Sequence, residues 1–351
     1  MTKSKTYIAT APGATIKEQL VNRGMSQKEF AVRMDMSEKH ISHLINGEVI
    51  LTPDVANRLE SVLGVPAKFW NNLESIYRQK LLLVEEENRM EKDIELLKNY
   101  PYSEMVSKGW IEKTIVPTQK VRNLRKYFEV VELSILQKEE FCQKVACRKL
   151  SHTEKSDTGL LVWLQKVKIE SRTKEVEPIN IKLLKESLSA IREMTNHTPD
   201  EFCDKLDSLL ASCGIALVYV SHIKGSGMQG ATFIDGKKIV IGMTARCKDA
   251  DRFWFSLFHE LGHIVLGHIN KRNLSFSEAE EKQADLFAED NLIQPDLYKA
   301  FIDESNFTKA SIVSFANSIN IDSGIVLGRL QKDGYVKYSS FNELKKQYEI
   351  K

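Results

Sequence analysis

The sequence predicts a mainly α-helical chain with a small antiparallel β-sheet, an α+β fold class. Three observations support this class. Apolar residues recur at helical spacing over most of the 351 residues. Capping residues and glycines divide the first 80 residues into five short helical segments. Runs rich in β-branched residues are confined to residues 215–241, where Asp235-Gly236 is a strong hairpin signal.

Composition narrows the class of protein further. A hydrophobic content of 42% and a charged content of 28% are typical of a globular chain with room for two or three domains. The net charge of +2 is too small to indicate nucleic-acid binding by itself. No apolar run approaches the roughly 20 residues that span a bilayer, and the N-terminus does not have the pattern of a signal peptide. Five unevenly spaced cysteines indicate reduced thiols, so we expect a cytoplasmic protein with no membrane partner.

The first 80 residues predict a five-helix domain. The predicted helix starts are Pro12-Gly13, Ser26, Ser37, Thr52-Pro53 and Pro66. Ser26 and Glu29 have the spacing of a capping box, in which Ser26 caps the backbone and Glu29 bonds back to it. Asn46-Gly47 has the composition that ends a helix. The second and third helices are short and are joined by a tight turn, which is the pattern of a helix-turn-helix DNA-binding domain.

The third helix of this domain would then lie in the major groove of DNA. Its predicted outward residues are Ser37, Glu38, Lys39, His40, Ser42 and His43. Gln27, Lys28 and Arg33 are candidate phosphate contacts. Because the domain is only weakly basic, tight binding would need a homodimer on double-stranded DNA. The alternative is a helical bundle that serves dimerisation alone.

Three runs in this domain carry a resemblance to a known family. They are Ser-Gln-x-Glu-Phe-Ala from Ser26, Ile-Ser-x-Leu-Ile-Asn-Gly from Ile41 and Val-Pro-x-x-Phe-Trp-x-x-Leu from Val65. Together they resemble the HigA branch of the Xre/Cro-like regulators over about residues 8–80. HigA proteins are antitoxins of toxin–antitoxin systems that also repress their own operon. The resemblance therefore implies operator binding and transcription regulation.

Residues 81–195 are predicted to form a helical linker or middle region. Residues 78–98 are dense in charge, which favours a long exposed helix that is either a linker or a dimer seam. Further helices are predicted at residues 103–110, 121–128, 136–148 and 159–166. This region contains no motif with evident chemistry. Its expected role is to join and orient the two ends of the chain or to bind a partner.

The stretch from Phe258 to His268 contains His-Glu-x-x-His. On a helix, His259 and His263 lie on one face, where two imidazoles can bind one Zn²⁺. Glu260 would lie beside the metal and accept a proton from an activated water. This is the arrangement of metallopeptidases. Cys247, just before this helix, could cap the metal as a thiolate or be an ordinary thiol.

A downstream acidic helix offers a third metal ligand. We predict Glu281 as that ligand, and Asp285, one turn later, as the acceptor for the free N–H of a ligating histidine. The alternative is an ordinary acidic surface helix. A further donor should stabilise the oxyanion of the reaction, either His268 or a tyrosine of the C-terminal tail. His268 could equally be a plain residue at the end of a helix.

The residues from His259 to His268, together with residues 281–288 and 292–295, resemble the ImmA/IrrE family of zinc metallopeptidases. That family has His-Glu-x-x-His and a downstream Glu before an Ala-Asn/Asp-x-Phe-Ala run. Its better-known members cleave repressor proteins. The resemblance covers about residues 200–300, and Gln283 stands where a second Glu is common. It implies a zinc-dependent endopeptidase with a zincin-like fold. Residues 323–331 also resemble the end of this family's chains when they are fused to HigA-type domains.

The sequence thus predicts three regions with two functions. Residues 1–80 would bind DNA, residues 81–195 would connect, and residues 196–351 would form the metallopeptidase domain. The protein substrate would be a repressor, a toxin partner or the chain itself. One alternative is an antitoxin or repressor whose zinc domain is structural or sensory, without proteolysis. Another is a protease with a helical docking domain.

Overall fold

The computed structural model describes residues 2–137, 154–244, 249–269 and 276–348. The chain forms two compact units, Met1–Glu95 and Leu96–Lys351, called the first and second unit below. The predicted mainly α-helical class with a small sheet is confirmed. Most of the helix predicted at residues 136–148 lies outside the described residues, as do Cys142, Cys147 and Cys247.

The first unit contains the five predicted helices after a short strand pair. The strands are β1 (Thr2–Lys3) and β2 (Ile8–Ala9), and the helices are α1 (Gly13–Asn22), α2 (Gln27–Arg33), α3 (Glu38–Asn46), α4 (Pro53–Leu63) and α5 (Ala67–Leu96). Their shared core is made of fully buried side chains, among them Ile16, Phe30, Ile41, Leu59 and Trp70. The apolar helical spacing of the sequence therefore marks the inner faces of these helices.

Local capping chemistry sets several helix boundaries of the first unit. The Ser37 side chain accepts a hydrogen bond from the backbone N–H of His40 at the start of α3. Gly47 ends the same helix in the left-handed region, at φ 76°, which glycine adopts without a steric penalty. The Ser26 side chain caps α2 by accepting from Glu29 N–H. Glu29 does not complete a capping box, however, because its carboxylate pairs with Arg33 at 2.7 Å.

Helix α5 is one continuous helix of 30 residues. At 1.5 Å per residue it is about 45 Å long. The sequence suggested a fifth short helix followed by a separate charged helix at residues 78–98. The two segments form one helix because no helix-breaking residue stands between them. The charged side chains along its exposed faces allow it to extend into solvent.

The second unit is built around a three-stranded sheet. Its strands are β3 (Ile215–Val220), β4 (Gly230–Asp235) and β5 (Lys238–Thr244). Its helices are α6 (Tyr102–Ser107), α7 (Pro117–Phe128), α8 (Glu154–Ser171), α9 (Ile181–Glu193), α10 (Pro199–Ser212), α11 (Ala250–Val265), α12 (Glu278–Leu292), α13 (Pro295–Asp303), α14 (Lys309–Ser318) and α15 (Ser323–Lys332). Single 3₁₀ turns occur at Leu97–Asn99, Leu133–Gln137, Met194–Asn196 and Asn342–Leu344.

The sheet is mixed rather than purely antiparallel. Strands β4 and β5 form the predicted hairpin, with Asp235 opposite Lys238. Strand β3, however, pairs in parallel with β5, with Ile215 opposite Ile239, so the strand order is β3-β5-β4. The prediction of an antiparallel sheet was wrong for β3. Its almost uninterrupted apolar run is typical of a strand covered on both faces, which favours parallel pairing.

Both faces of the sheet are covered. One face carries Ile215, Leu217 and Ile241 into the core formed with α10, α11 and the C-terminal helices. The opposite face carries Val218 and Val240 into a second core with α7 and α8. Residues 96–351 therefore form one compact unit, whereas the sequence predicted separate regions at 81–195 and 196–351. Much of the middle region packs on the sheet because this second apolar face must be removed from water.

No single helix in the described part of the chain is both long and apolar enough to cross a membrane. One pair, α14 and α15, meets these criteria only when taken together, and the pair is bent by 117°.

Candidate metal centre

Two closely packed helices of the second unit, α11 and α12, carry the candidate site. Helix α11 is anchored by fully buried aromatic residues, among them Phe253, Trp254 and Phe258. At Gly262 a Cβ atom would lie 3.1 Å from Phe287 Cδ1 and 3.3 Å from Ala284 Cα of α12. The glycine therefore permits the close approach of the two helices.

The start of α12 is fixed by a capping box. Ser277 Oγ accepts from Glu280 N–H, and the Glu280 carboxylate accepts from Ser277 N–H at 2.7 Å. The first turn of α12, which includes Glu281, therefore has a defined position next to α11.

Side-chain atoms of His259, His263 and Glu281 converge between these helices. The two Nε2 atoms are 3.1 Å apart. Glu281 Oε2 lies 3.3 Å from His259 Nε2 and 3.9 Å from His263 Nε2. Ligands of a tetrahedral zinc with bonds of about 2.0–2.1 Å stand about 3.3 Å from one another. Two imidazole nitrogens and one carboxylate oxygen at these separations fit such an ion.

Asp285 holds His259. Its Oδ1 lies 2.8 Å from His259 Nδ1, and because a carboxylate oxygen accepts, Nδ1 carries the hydrogen. Burial, the largest single influence, lowers the pKa of His259. Hydrogen bonds with Asp285 and Glu281, and the charges of Glu260 and Asp285, together raise that pKa to about 9. The negative charges that stabilise a proton on the His259 ring would also stabilise a metal cation bound in place of that proton.

His263 is held by a different set of neighbours. It is 1% exposed, and its ring stacks on Phe276 with the centroids 3.6 Å apart. Its Nδ1 lies 3.0 Å from Nδ1 of His268, and Nε2 of His268 lies 3.0 Å from Gln283 Oε1. His268 is thus neither a plain helix-end residue nor a donor to substrate, since both its ring nitrogens are engaged.

Strand β4 supports the carboxylate of Glu260. Thr232 Oγ1 donates a hydrogen bond to Glu260 Oε2 at 2.6 Å. A Cβ atom at Gly230 would lie 2.8 Å from Glu260 Oε1, so only glycine leaves room for the carboxylate there. Neither residue stands out in the sequence as part of a site. The hairpin signal placed them on a strand, but nothing in the sequence paired that strand with α11.

A cleft of about 370 Å³ opens onto the three converging side chains and Glu260. Residues 227–232, α11, α12 and Phe276 line it. At its rim, Gln229 Oε1 accepts from Ser256 Oγ at 2.9 Å. Among the described tail tyrosines, Tyr338 lines a neighbouring cavity, and Tyr348 Oη accepts from Trp254 Nε1 at 2.9 Å. A tail tyrosine is therefore a poor candidate for stabilising the oxyanion.

The candidate DNA-contact residues lie on the surface of the first unit. Gln27, Lys28 and Arg33 on α2 are exposed, as are Ser37, Glu38 and Lys39 at the start of α3; His40, Ser42 and His43 are half-buried. Arg33 is engaged by Glu29, and His43 pairs with Glu48. These pairs are solvent-exposed and therefore weak enough to be exchanged for a phosphate contact. The DNA-contact assignments stay predictions.

Comparison with known proteins assigns a class to each unit. Residues 16–70 match the helix-turn-helix family, and residues 219–312 match the IrrE N-terminal-like domain of the peptidase M78 family. The chain is thus a helix-turn-helix regulator joined to a peptidase-like domain of a family that is typically zinc-dependent.

One relative refines this assignment for the first unit. YddM of Escherichia coli (strain K12), an uncharacterized HTH-type transcriptional regulator, is 35% identical to this chain over 66 residues. The matched segment is 19% of this chain and 70% of that protein. The chain therefore belongs to the family of HTH-type transcriptional regulators. A HigA-specific type is not distinguished by these matches.

Proposed function

We propose that this regulator carries a zinc-dependent endopeptidase that cleaves a repressor, a toxin partner or the chain itself. The single observation that carries the proposal is the convergence of His259, His263 and Glu281 beside Glu260 at the floor of a cleft. Among the described residues, the three ligand atoms lie 3.1, 3.3 and 3.9 Å apart and match a zinc site with one position open to solvent or substrate. A purely structural zinc would be expected to have four protein ligands.

His259, His263 and Glu281 would hold the ion. Bound Zn²⁺ would polarise the scissile carbonyl and promote deprotonation of water. Glu260 accepts the proton of the attacking water on its carboxylate and then delivers it to the leaving amine. Thr232 keeps that carboxylate in position through the 2.6 Å hydrogen bond. Asp285 holds the proton on Nδ1 of His259, which would leave the lone pair of Nε2 available to the ion.

Substrate binding is proposed along β4. Among the described residues β4 pairs only with β5, so its other edge can accept an extended peptide as an added strand. The Gln229 amide, whose Oε1 is held by Ser256, offers N–H donors to a substrate carbonyl at the end of this edge. We assign Gln229 this role in place of His268.

The first unit would bind operator DNA as a homodimer, with α3 in the major groove. Its N-terminal residues Ser37, Glu38 and Lys39 are exposed and would make the base contacts. Gln27 and Lys28 on α2 would contact phosphates. The role of a HigA-like antitoxin that represses its own operon belongs to the same proposal, and it rests on the sequence runs from Ser26, Ile41 and Val65.

Substitution of Glu260 tests the proposal. Glu260→Gln keeps an oxygen that can accept from Thr232 and leaves the three ion-holding residues intact. We expect unchanged zinc content and a loss of cleavage of about 10²–10⁴-fold. The measurement is mass spectrometry of new peptide termini in cells that express the wild-type or the variant chain. Equal termini from both chains would exclude Glu260 as the base. Zinc in both chains with new termini in neither would support a structural or sensory zinc domain.

A further inference from the structure

His268 lies beyond the end of α11 and connects a proposed ion-holding residue to α12. It is 9% exposed and has one ring nitrogen directed at His263 and the other at Gln283. A histidine that bridges in this way must donate at one nitrogen and accept at the other, or else donate at both. The direction of the two hydrogen bonds therefore has a chemical consequence for His263.

The direction of both hydrogen bonds follows from the side-chain carbonyl of Gln283. Gln283 Oε1 is a carbonyl oxygen and can only accept, so His268 donates from Nε2–H. In the neutral ring the remaining nitrogen, Nδ1, then carries a lone pair and accepts from Nδ1–H of His263. A neutral His263 with hydrogen on Nδ1 has its lone pair on Nε2. That Nε2 is the atom 3.1 Å from His259 Nε2 and 3.9 Å from Glu281 Oε2.

We propose that His268 and Gln283 are positioning residues, which fix His263 in the tautomer whose Nε2 can bind Zn²⁺. The inference rests on the proposed function, since it assigns a purpose to the geometry around the same ion. The two histidines are then held by different chemistry. Asp285 acts on His259 through a carboxylate, whereas His263 is held by a neutral imidazole backed by an amide.

Burial makes this support necessary for His263. Its ring is stacked on Phe276 and almost completely removed from solvent, so the access of water to Nδ1 is restricted. Loss of the His268 acceptor removes the hydrogen bond that holds the hydrogen on Nδ1, which favours moving the hydrogen to Nε2. In that tautomer the nitrogen facing the ion has no lone pair. Loss of a partner of this kind typically weakens metal binding by about 10–100-fold.

The first test measures zinc affinity of the full chain by competition with a fluorescent zinc chelator. His268→Leu removes the acceptor, and we expect zinc affinity to fall by about 10–100-fold. In His268→Asn the side-chain carbonyl can still accept from Nδ1–H of His263, and we expect recovery to within a few-fold of wild type. A purely space-filling role would not distinguish these two variants. Equal affinities of both variants, or an unchanged His268→Leu, would overturn the proposal.

Gln283 provides a variant that does not threaten the fold, because it is exposed. We expect Gln283→Leu to weaken zinc binding by several-fold and Gln283→Glu, which retains an acceptor oxygen, to restore it. Gln79→Leu, at another exposed helical glutamine in the first unit, is the matched control and should have no effect. Equal zinc affinity in Gln283→Leu and Gln79→Leu would exclude Gln283 from the chain of contacts.

The second test reads the tautomer directly and needs no metal. Nitrogen NMR of isotope-labelled histidine rings in the metal-free full chain should assign the hydrogen of His263 to Nδ1 and that of neutral His268 to Nε2. In His268→Leu the His263 signal should move towards the Nε2-protonated form. The opposite tautomers in the wild type would refute the proposal. If the wild type binds no zinc, the proposed function fails, and the NMR result still decides the hydrogen-bond direction.

Discussion

The first unit and the metal centre of the second unit differ in how their structure is encoded. In the first unit, several helix boundaries are set by a residue within a few positions, such as Ser37 at the start of α3 and Gly47 at its end. At the candidate metal centre, two of the functional side chains are held by residues from another element. Glu260 is held by Thr232, 28 positions away, and His259 by Asp285, 26 positions away. A change in the first unit should therefore have local effects, whereas the metal centre should respond to distant ones.

The largest expected effect comes from removing a residue that is proposed to hold the ion. Glu281→Ala should weaken zinc binding by more than about 100-fold, which exceeds the loss expected for a partner outside the coordination sphere. Zinc competition measures it, and DNA binding by the same protein is the internal control. We expect DNA affinity to stay unchanged. A parallel loss of DNA binding would show that the two units do not function independently.

Removing the support of Glu260 should have the next largest effect. Thr232→Val deletes the hydroxyl that donates to Glu260 Oε2 and keeps the shape of the side chain. A hydrogen bond to a charged group contributes about 1.5–3 kcal/mol, so cleavage should slow by about 10–100-fold. The rate of appearance of new peptide termini measures this effect, and zinc content should not change. Loss of zinc from Thr232→Val would instead indicate a wider distortion of the site.

Packing between α11 and α12 gives a test of intermediate size. Gly262→Val adds atoms where a Cβ already lies 3.1 Å from Phe287. Overpacking of this kind costs about 1–3 kcal/mol, and it should also move Glu281 away from the histidines. The urea concentration at the midpoint of unfolding should fall, and so should the zinc affinity. Ala279→Val, at an exposed position in the first turn of α12, is the control and should leave zinc affinity unchanged.

The pH dependence of zinc binding should follow His259. Because its pKa is raised to about 9, the metal-free chain holds a proton there at neutral pH. Zinc needs the neutral ring, so binding releases that proton, and apparent affinity should fall on acidification by about tenfold per pH unit from this residue. Asp285→Asn removes one cause of the raised pKa and should flatten this dependence just below pH 9. An affinity that is independent of pH would contradict the assignment of His259.

The smallest expected effect is the local one. Ser37→Ala removes the cap of α3 and should destabilise the first unit by about 1 kcal/mol. Thermal unfolding of the full chain measures the change, and Ser61→Ala, a substitution within exposed α4 surface, serves as the control. Zinc affinity should be identical in the wild type, Ser37→Ala and Ser61→Ala. A change in zinc affinity would mean that capping in the first unit influences the metal centre.

The sequence predicted those parts of the site that lie on one helix face. The spacing of His259 and His263, and of Glu281 and Asp285, needs only the helical repeat. It could not predict Thr232, Gly230 or the contact from His268 to Gln283, because each depends on which elements become neighbours. The same limitation explains the parallel pairing of β3 and the packing of α8 on the sheet. Even within one helix, the Glu29 carboxylate had two possible partners, and the structure has it paired with Arg33.

Strand β4 has a mechanical consequence for the proposed reaction. It holds the Glu260 carboxylate through Thr232 and also provides the edge proposed for the peptide. When β4 shifts in a thermal fluctuation, the proton acceptor and the bound peptide shift together, so the separation between them changes less than either position does. Alignment of the reacting atoms would then survive motion of the cleft, without requiring that the cleft itself be rigid.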